Sequence, residues 1–315
     1  VRGALGGGRV GEWKAKAAKW KIMGLFDKWF SKGSSTGKRL DVSAKYELDR
    51  HSFTGTMSKF RVARDIKTGE LFGIKFLDSE KRAYFEQRFK GLNKPEEGVI
   101  AMLMEHPCIV KTFEYGVTTK GEHYILMEYI RGPGLNTLIN DRNPGLIPYR
   151  LPLMREMVQA IEAVHDKGFI HRDICPRNFI SCDDFKHLKL IDFGLSVPDL
   201  PEFRTPGNRT GTPQYMAPEV VRRRSTDHRL DLFSLGVTIY KLMTFEHPWE
   251  ATDTTGLAAL SHDQRPATDI AKHRPDIHPA VAKIVMKCLE ADPARRPKDA
   301  KSILRAVADL PSDKA

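Results

Sequence analysis

Cysteine is scarce in this chain. Its 315 residues hold four, Cys108, Cys175, Cys182 and Cys288, without metal-ligand spacing or the density of a disulfide framework. Reduced thiols in a cytoplasmic protein are therefore the expectation, and a disulfide-stapled secreted module is excluded. No run of 18 apolar residues occurs, so no transmembrane helix is expected. A charged-then-apolar leader with a small-residue cleavage site is likewise missing, which argues against secretion. Acidic residues are short in one place only. Residues 1–40 hold ten Lys/Arg against two Asp/Glu, whereas the remaining 275 hold 41 against 38. The formal charge of +11 thus sits mainly in a tail and not in a basic groove of the folded body, and no nucleic-acid partner is expected.

What is present is ordinary globular composition, 41% hydrophobic and 29% charged, enough for one large or two smaller cores. Residues 1–45 read as a basic, flexible tail, rich in Gly, Lys, Trp and Ser up to the linker-like KGSSTGKR. Within it, residues 23–30 (MGLFDKWF) put apolar side chains on one side of a short helix. Weak contact with a membrane surface or a partner stays open there beside a dispensable tail, and the myristoylation pattern fails at Lys28. Residues 46–131 read mostly as strands: FRVARD, ELFGIKFL, CIVKTFEYGV and HYILMEYI, parted by turn chemistry such as Lys67-Thr68-Gly69-Glu70. One helical stretch, around residues 95–105, interrupts them. From about residue 148, LPLMREMVQAIEAVHDKG and DLFSLGVTIYKLMTF carry apolar residues at helical spacing. The pattern predicts a two-lobed α+β protein, with a small strand-rich N-lobe (about 46–131) containing one main helix and a larger, mostly helical C-lobe (about 132–310). Residues 311–315 form the C-terminal end.

Residues 169–180 read FIHRDICPRNFI, with His171-Arg172-Asp173 followed, five residues after the aspartate, by Asn178. Asp192-Phe193-Gly194 lies downstream behind the strand-like Leu188-Lys189-Leu190-Ile191, and Ala217-Pro218-Glu219 follows. Upstream stand Gly73-Ile74-Lys75 and His106-Pro107-Cys108-Ile109-Val110. In order and spacing these motifs resemble a Hanks-type protein kinase, similar to the serine/threonine kinases of bacteria and eukaryotes. The resemblance runs from Tyr46 to about Leu310. It implies ATP as phosphate donor, Mg²⁺ (or Mn²⁺) as cofactor and protein hydroxyls as acceptors.

The same resemblance implies roles residue by residue. Lys75 is the phosphate lysine, and Glu97 its ion-pair partner, with adjacent Glu96 as the alternative. Asp192 and Asn178 hold metal, and Asp173 accepts or orients the substrate proton. Met127 faces the adenine, the backbone of Glu128 and Ile130 bonds the base, and Ile180 belongs to the same nucleotide site. Asp231, in LDLFSLG, is the structural aspartate of a long buried helix. Arg296, in DPARRP, pairs with Glu219. Thr212, in GTPQYMAPE, stands beside Asp173 and marks serine/threonine rather than tyrosine specificity. Arg172 is placed to pair with a phosphate on the activation loop, where Thr205 and Thr210 are the candidates.

Several positions depart from the family pattern. The Gly-rich loop, Phe53-Thr54-Gly55-Thr56-Met57-Ser58, keeps only Gly55, with Ser58 offering a hydroxyl, so weaker ATP binding is expected. Phe60 and Gly73 replace a valine and an alanine of the adenine pocket, a large-for-small and small-for-large pair expected to conserve volume. Cys175 stands where lysine would touch the γ-phosphate, and Arg177 supplies a cation two residues on. A redox role for Cys175 stands against a neutral replacement. No ribose-binding carboxylate is evident in Arg131-Gly132-Pro133-Gly134. The reduced Gly-rich loop keeps open a pseudokinase scaffold beside an active enzyme, while the A-P-E element disfavours a small-molecule phosphotransferase.

Overall fold

In a computed structural model of the chain, residues 39–54, 58–206, 209–249, 262 and 264–311 are described, without the side chains of 51–54. Residues 23–30 and Gly55 lie outside them. The N-lobe begins earlier than the sequence reading placed it. Asp41 caps α1 (Val42–Lys45) by accepting from Ala44 N, and Leu40 N donates to Val117 O at 3.1 Å. These residues, grouped with the tail on sequence, belong to the lobe because backbone bonds tie them to its sheet.

Five strands build that sheet in the order β1-β2-β3-β5-β4, antiparallel throughout: β1 (Tyr46–Thr54), β2 (Ser58–Asp65), β3 (Leu71–Leu77), β4 (Thr112–Val117) and β5 (His123–Glu128). The β2–β3 turn closes because Asp65 Oδ1 accepts from Lys67 N and Thr68 N. The run CIVKTFEYGV is not one strand. Its first residues bond to the other lobe instead, with Val110 N donating to Leu190 O and Leu190 N to Cys108 O.

The expected main helix is α3 (Glu97–Leu103), and a further one, α2 (Ser79–Glu86), capped by Asp78, precedes it. Gly98 lets α3 approach the sheet, since a Cβ there would come within 2.5 Å of the Tyr115 ring.

The C-lobe holds α4 (Leu135–Asn140), α5 (Arg150–Asp166), α6 (Pro218–Val221), α7 (Arg229–Thr244), α8 (Ile270–His273), α9 (Pro279–Cys288) and α10 (Ala300–Ala306). Two small ladders, β6 (Phe169–Ile170) with β9 (Val197–Pro198) and β7 (Phe179–Cys182) with β8 (His187–Leu190), lie on its upper side. Helix α7 is the axis of the main core and buries every residue except Arg229 and Lys241, as expected of a helix apolar on all sides. No helix among the described residues is long and apolar enough to cross a membrane.

Candidate active site

The site forms where β3, α3 and the loops after β6 and β8 converge. Lys75, on β3, is buried and reaches two carboxylates: its Nζ lies 2.5 Å from Glu97 Oε1 and 3.0 Å from Asp192 Oδ1. Burial alone would pull the ammonium down, but the charges of Asp192 and Glu97 outweigh it and hold the Lys75 pKa above the ordinary lysine value. Burial raises the Glu97 pKa in spite of Lys75. Burial opposes the Asp192 carboxylate as well, yet Lys75 and the Gly194 N–H hold its pKa low. Glu96 is elsewhere, 2.7 Å from Arg82 on α2, so the choice between the two glutamates falls on Glu97.

The catalytic loop is anchored from below. Buried Asp231, on α7, accepts from the backbone N–H groups of His171 and Arg172, each at 2.8 Å, and pairs with His165 at 2.8 Å. Arg172 takes a left-handed φ of 70° there and Asp192 one of 71°, both uncommon for residues with a Cβ. This anchoring presents Asp173 between two partners. Asn178 Nδ2 donates to its carbonyl at 2.7 Å and to Oδ2 at 3.1 Å. On the other side, Thr212 donates to Oδ1 from its hydroxyl at 2.8 Å and from its N–H at 2.9 Å. Exposed Arg177 donates to Thr212 Oγ1 at 2.9 Å.

The donor set fits a divalent cation such as Mg²⁺. Asn178 uses its amide nitrogen on Asp173, which leaves the amide oxygen, and Asp192 has an oxygen beyond the one shared by Lys75 and Gly194. These are hard oxygen ligands of the kind Mg²⁺ takes together with phosphate oxygens.

A protein kinase domain profile matches residues 46–307 of the chain. The chain belongs to the protein kinase domain family. Its curated relatives include the serine/threonine-protein kinase pkn3 of Myxococcus xanthus, 29% identical over 84% of this chain and 50% of its own length. PknB of Mycolicibacterium smegmatis is 30% identical over 81% of this chain and 41% of its own. PrkC of Bacillus subtilis is 28% identical over 82% and 39%. The chain thus spans half or less of the length of these relatives.

Within the kinase domain, the residues expected around the adenine are neighbours. Phe60 pairs with Lys75, Gly73 pairs with Met127, and both Phe60 and Met127 crowd the Cβ position of Gly73. The Glu128 N–H donates to Lys111 O at 2.9 Å. Its carboxylate takes Lys189 at 2.6 Å, a contact across 61 positions that sequence reasoning had no means to find. Half-buried Ile130 follows β5, and half-buried Ile180 lies on β7, bridged to Gly134. Ser58 opens β2 opposite Leu77.

The activation segment is held at its far end by a buried fork. Arg296 donates to both oxygens of Glu219 at 2.7 Å. Thr205 is exposed, whereas Thr210 is half-buried with its hydroxyl shut in and unbonded. Cys175 is fully buried, and burial raises its thiol pKa, which the charge of Asp173 reinforces. The neutral-replacement reading fits this setting and a redox role does not.

Proposed function

We propose that this protein is an ATP-dependent serine/threonine protein kinase that transfers the γ-phosphate of ATP to protein hydroxyls. The observation that carries the reading is Asp173 held between Asn178 and Thr212 while Lys75 is already paired with Glu97. Lys75 would bind the phosphates, and Asn178 and Asp192 would hold Mg²⁺. When bound, the metal neutralises phosphate charge. Asp173 orients the acceptor hydroxyl and takes its proton as the oxygen attacks the γ-phosphorus and the bond to the departing ADP breaks. Arg177 puts a guanidinium where the lysine displaced by Cys175 would have put an ammonium.

The names of the relatives agree with serine/threonine specificity, and the free thiols support a reducing, cytoplasmic setting. Exposed Thr205 is better placed than Thr210 to accept an activating phosphate that pairs with Arg172. The pseudokinase reading rests on the Gly-rich loop alone and gains nothing from the assembled Lys75–Glu97–Asp192 set. Incubation with labelled ATP and Mg²⁺, beside Asp173→Asn, tests the proposal. Label on protein that vanishes in the variant is the expected result, and equal label in both would refute it.

A further inference from the structure

Lys241 is one of the two residues of α7 that are not fully buried. Its Nζ lies 5.8 Å from the centroid of the Tyr215 ring, in the segment that carries Thr212. Across that segment stands Arg177, bonded to Thr212 at 2.9 Å through one nitrogen. Its charge also reaches Tyr215. The two cations therefore flank the short segment that runs from Thr212, itself bonded to Asp173, to Tyr215.

Among the described residues neither cation has a carboxylate in ion-pair contact. Glu246, whose charge reaches Lys241, is paired with Arg142, and Glu219 is paired with Arg296. Burial lowers the Lys241 pKa, with Glu246 acting against it, so an arriving anion would stabilise this ammonium.

We propose that Arg177 and Lys241 form a recognition site for an anionic side chain, carboxylate or phosphate, close to the acceptor serine or threonine of the substrate. The site rests on the kinase reading above and gives that reading a substrate class: acidic or already phosphorylated protein segments. Arg177 offers a fork to the anion and Lys241 a point charge. A lysine or arginine in the substrate at that spot meets two like charges, so the same pair selects against basic segments.

Arg177 is shared with phosphate transfer, which makes Lys241 the position to test. The full chain, with ATP and Mg²⁺, is given serine peptides that differ at one flanking position at a time, carrying Asp, phosphoserine, Ala or Lys. At one position the anionic peptides should exceed the alanine peptide about tenfold in kcat/KM, chiefly through KM, the equivalent of one partly desolvated charge pair. The lysine peptide should fall below alanine. Lys241→Met, which keeps an apolar stem on Tyr215, should abolish the difference between peptides, and Lys241→Glu should turn it towards lysine. Gains from phosphoserine alone would identify a priming phosphate as the anion, and equal gains from Asp would identify charge of either kind. Peptides that all react alike, or a preference that survives Lys241→Met, would overturn the site while leaving the kinase reading intact. Absence of Asp173-dependent transfer to any peptide or protein would overturn both.

Discussion

Phe60 fills the space that a side chain at position 73 would need. A Cβ built on Gly73 would lie 2.6 Å from Cε2 and 2.7 Å from Cζ of the Phe60 ring, and 3.2 Å from Cγ of Met127. The large-for-small exchange expected from the sequence is thus a direct contact between neighbouring strands. Gly73→Ala should cost about 1–2 kcal/mol, because the ring must shift out of a packed position. Phe60→Val combined with Gly73→Ala should recover most of that loss. A denaturation cycle of the four proteins would show coupling above about 0.5 kcal/mol. Additive effects would show that the pair does not compensate. Separately, a marked gain in ATP affinity on Phe60→Val alone would identify the ring as an obstruction.

The Glu219–Arg296 fork leaves its side chains 6% and 0% exposed, so removing one partner strands the other charge out of water. Arg296→Ala should destabilise the fold by about 3–5 kcal/mol. Arg296→Lys should restore little, because one ammonium cannot span both carboxylate oxygens. Urea denaturation reads both. A loss under about 1 kcal/mol for the alanine variant would be at odds with the desolvation argument.

Asp231 sets a pH dependence. Burial works against its ionisation, but His165, His171 and the backbone bonds outweigh burial and hold its pKa below the ordinary aspartate value. A depressed folded pKa means that its stabilising contribution is complete above the unfolded pKa of about 3.9 and is lost as pH falls through the folded pKa. Asp231→Asn, which turns an amide towards the N–H of His171 or Arg172, should cost about 2–3 kcal/mol at pH 7. The gap to wild type should hold steady down to about pH 5 and close below about pH 4. A gap that widened on acidification would contradict the assignment.

The cysteines should differ in reactivity. Cys108, Cys175 and Cys288 are buried and Cys182 is half-buried, and burial raises the thiol of Cys108 to about 11 and that of Cys288 to about 12. Alkylation of the native protein, followed by mass spectrometry, should mark Cys182 first and leave Cys175 unmodified until unfolding. Early labelling of Cys175 would reopen the redox role.

The motif residues were legible in the sequence because phosphate chemistry restricts both their type and their spacing. Lys75 meets Asp192, and Asn178 and Thr212 meet Asp173. The helical spacing of α5 and α7 and the turn chemistry that parts the sheet strands were legible too, since both are local signals. Helix α2 was missed because its face is largely polar, with Phe85 its one buried residue. The segment that leads into α1 was missed because the backbone of Leu40 bonds to Val117 and Thr119, far along the chain.

By itself, then, the sequence determined the family, the lobes and which residues are the candidates to meet ATP, because residue type and local spacing carry that information. Tertiary structure alone decided between Glu96 and Glu97, since both begin the same helix and only the packing of Gly98 against Tyr115, with Arg82 drawing off Glu96, orients it. It alone buried Cys175. It alone set Lys241 of α7 over Tyr215, in the segment whose Thr212 takes Arg177, because long-range proximity depends on how helices and loops share one core and not on any local pattern.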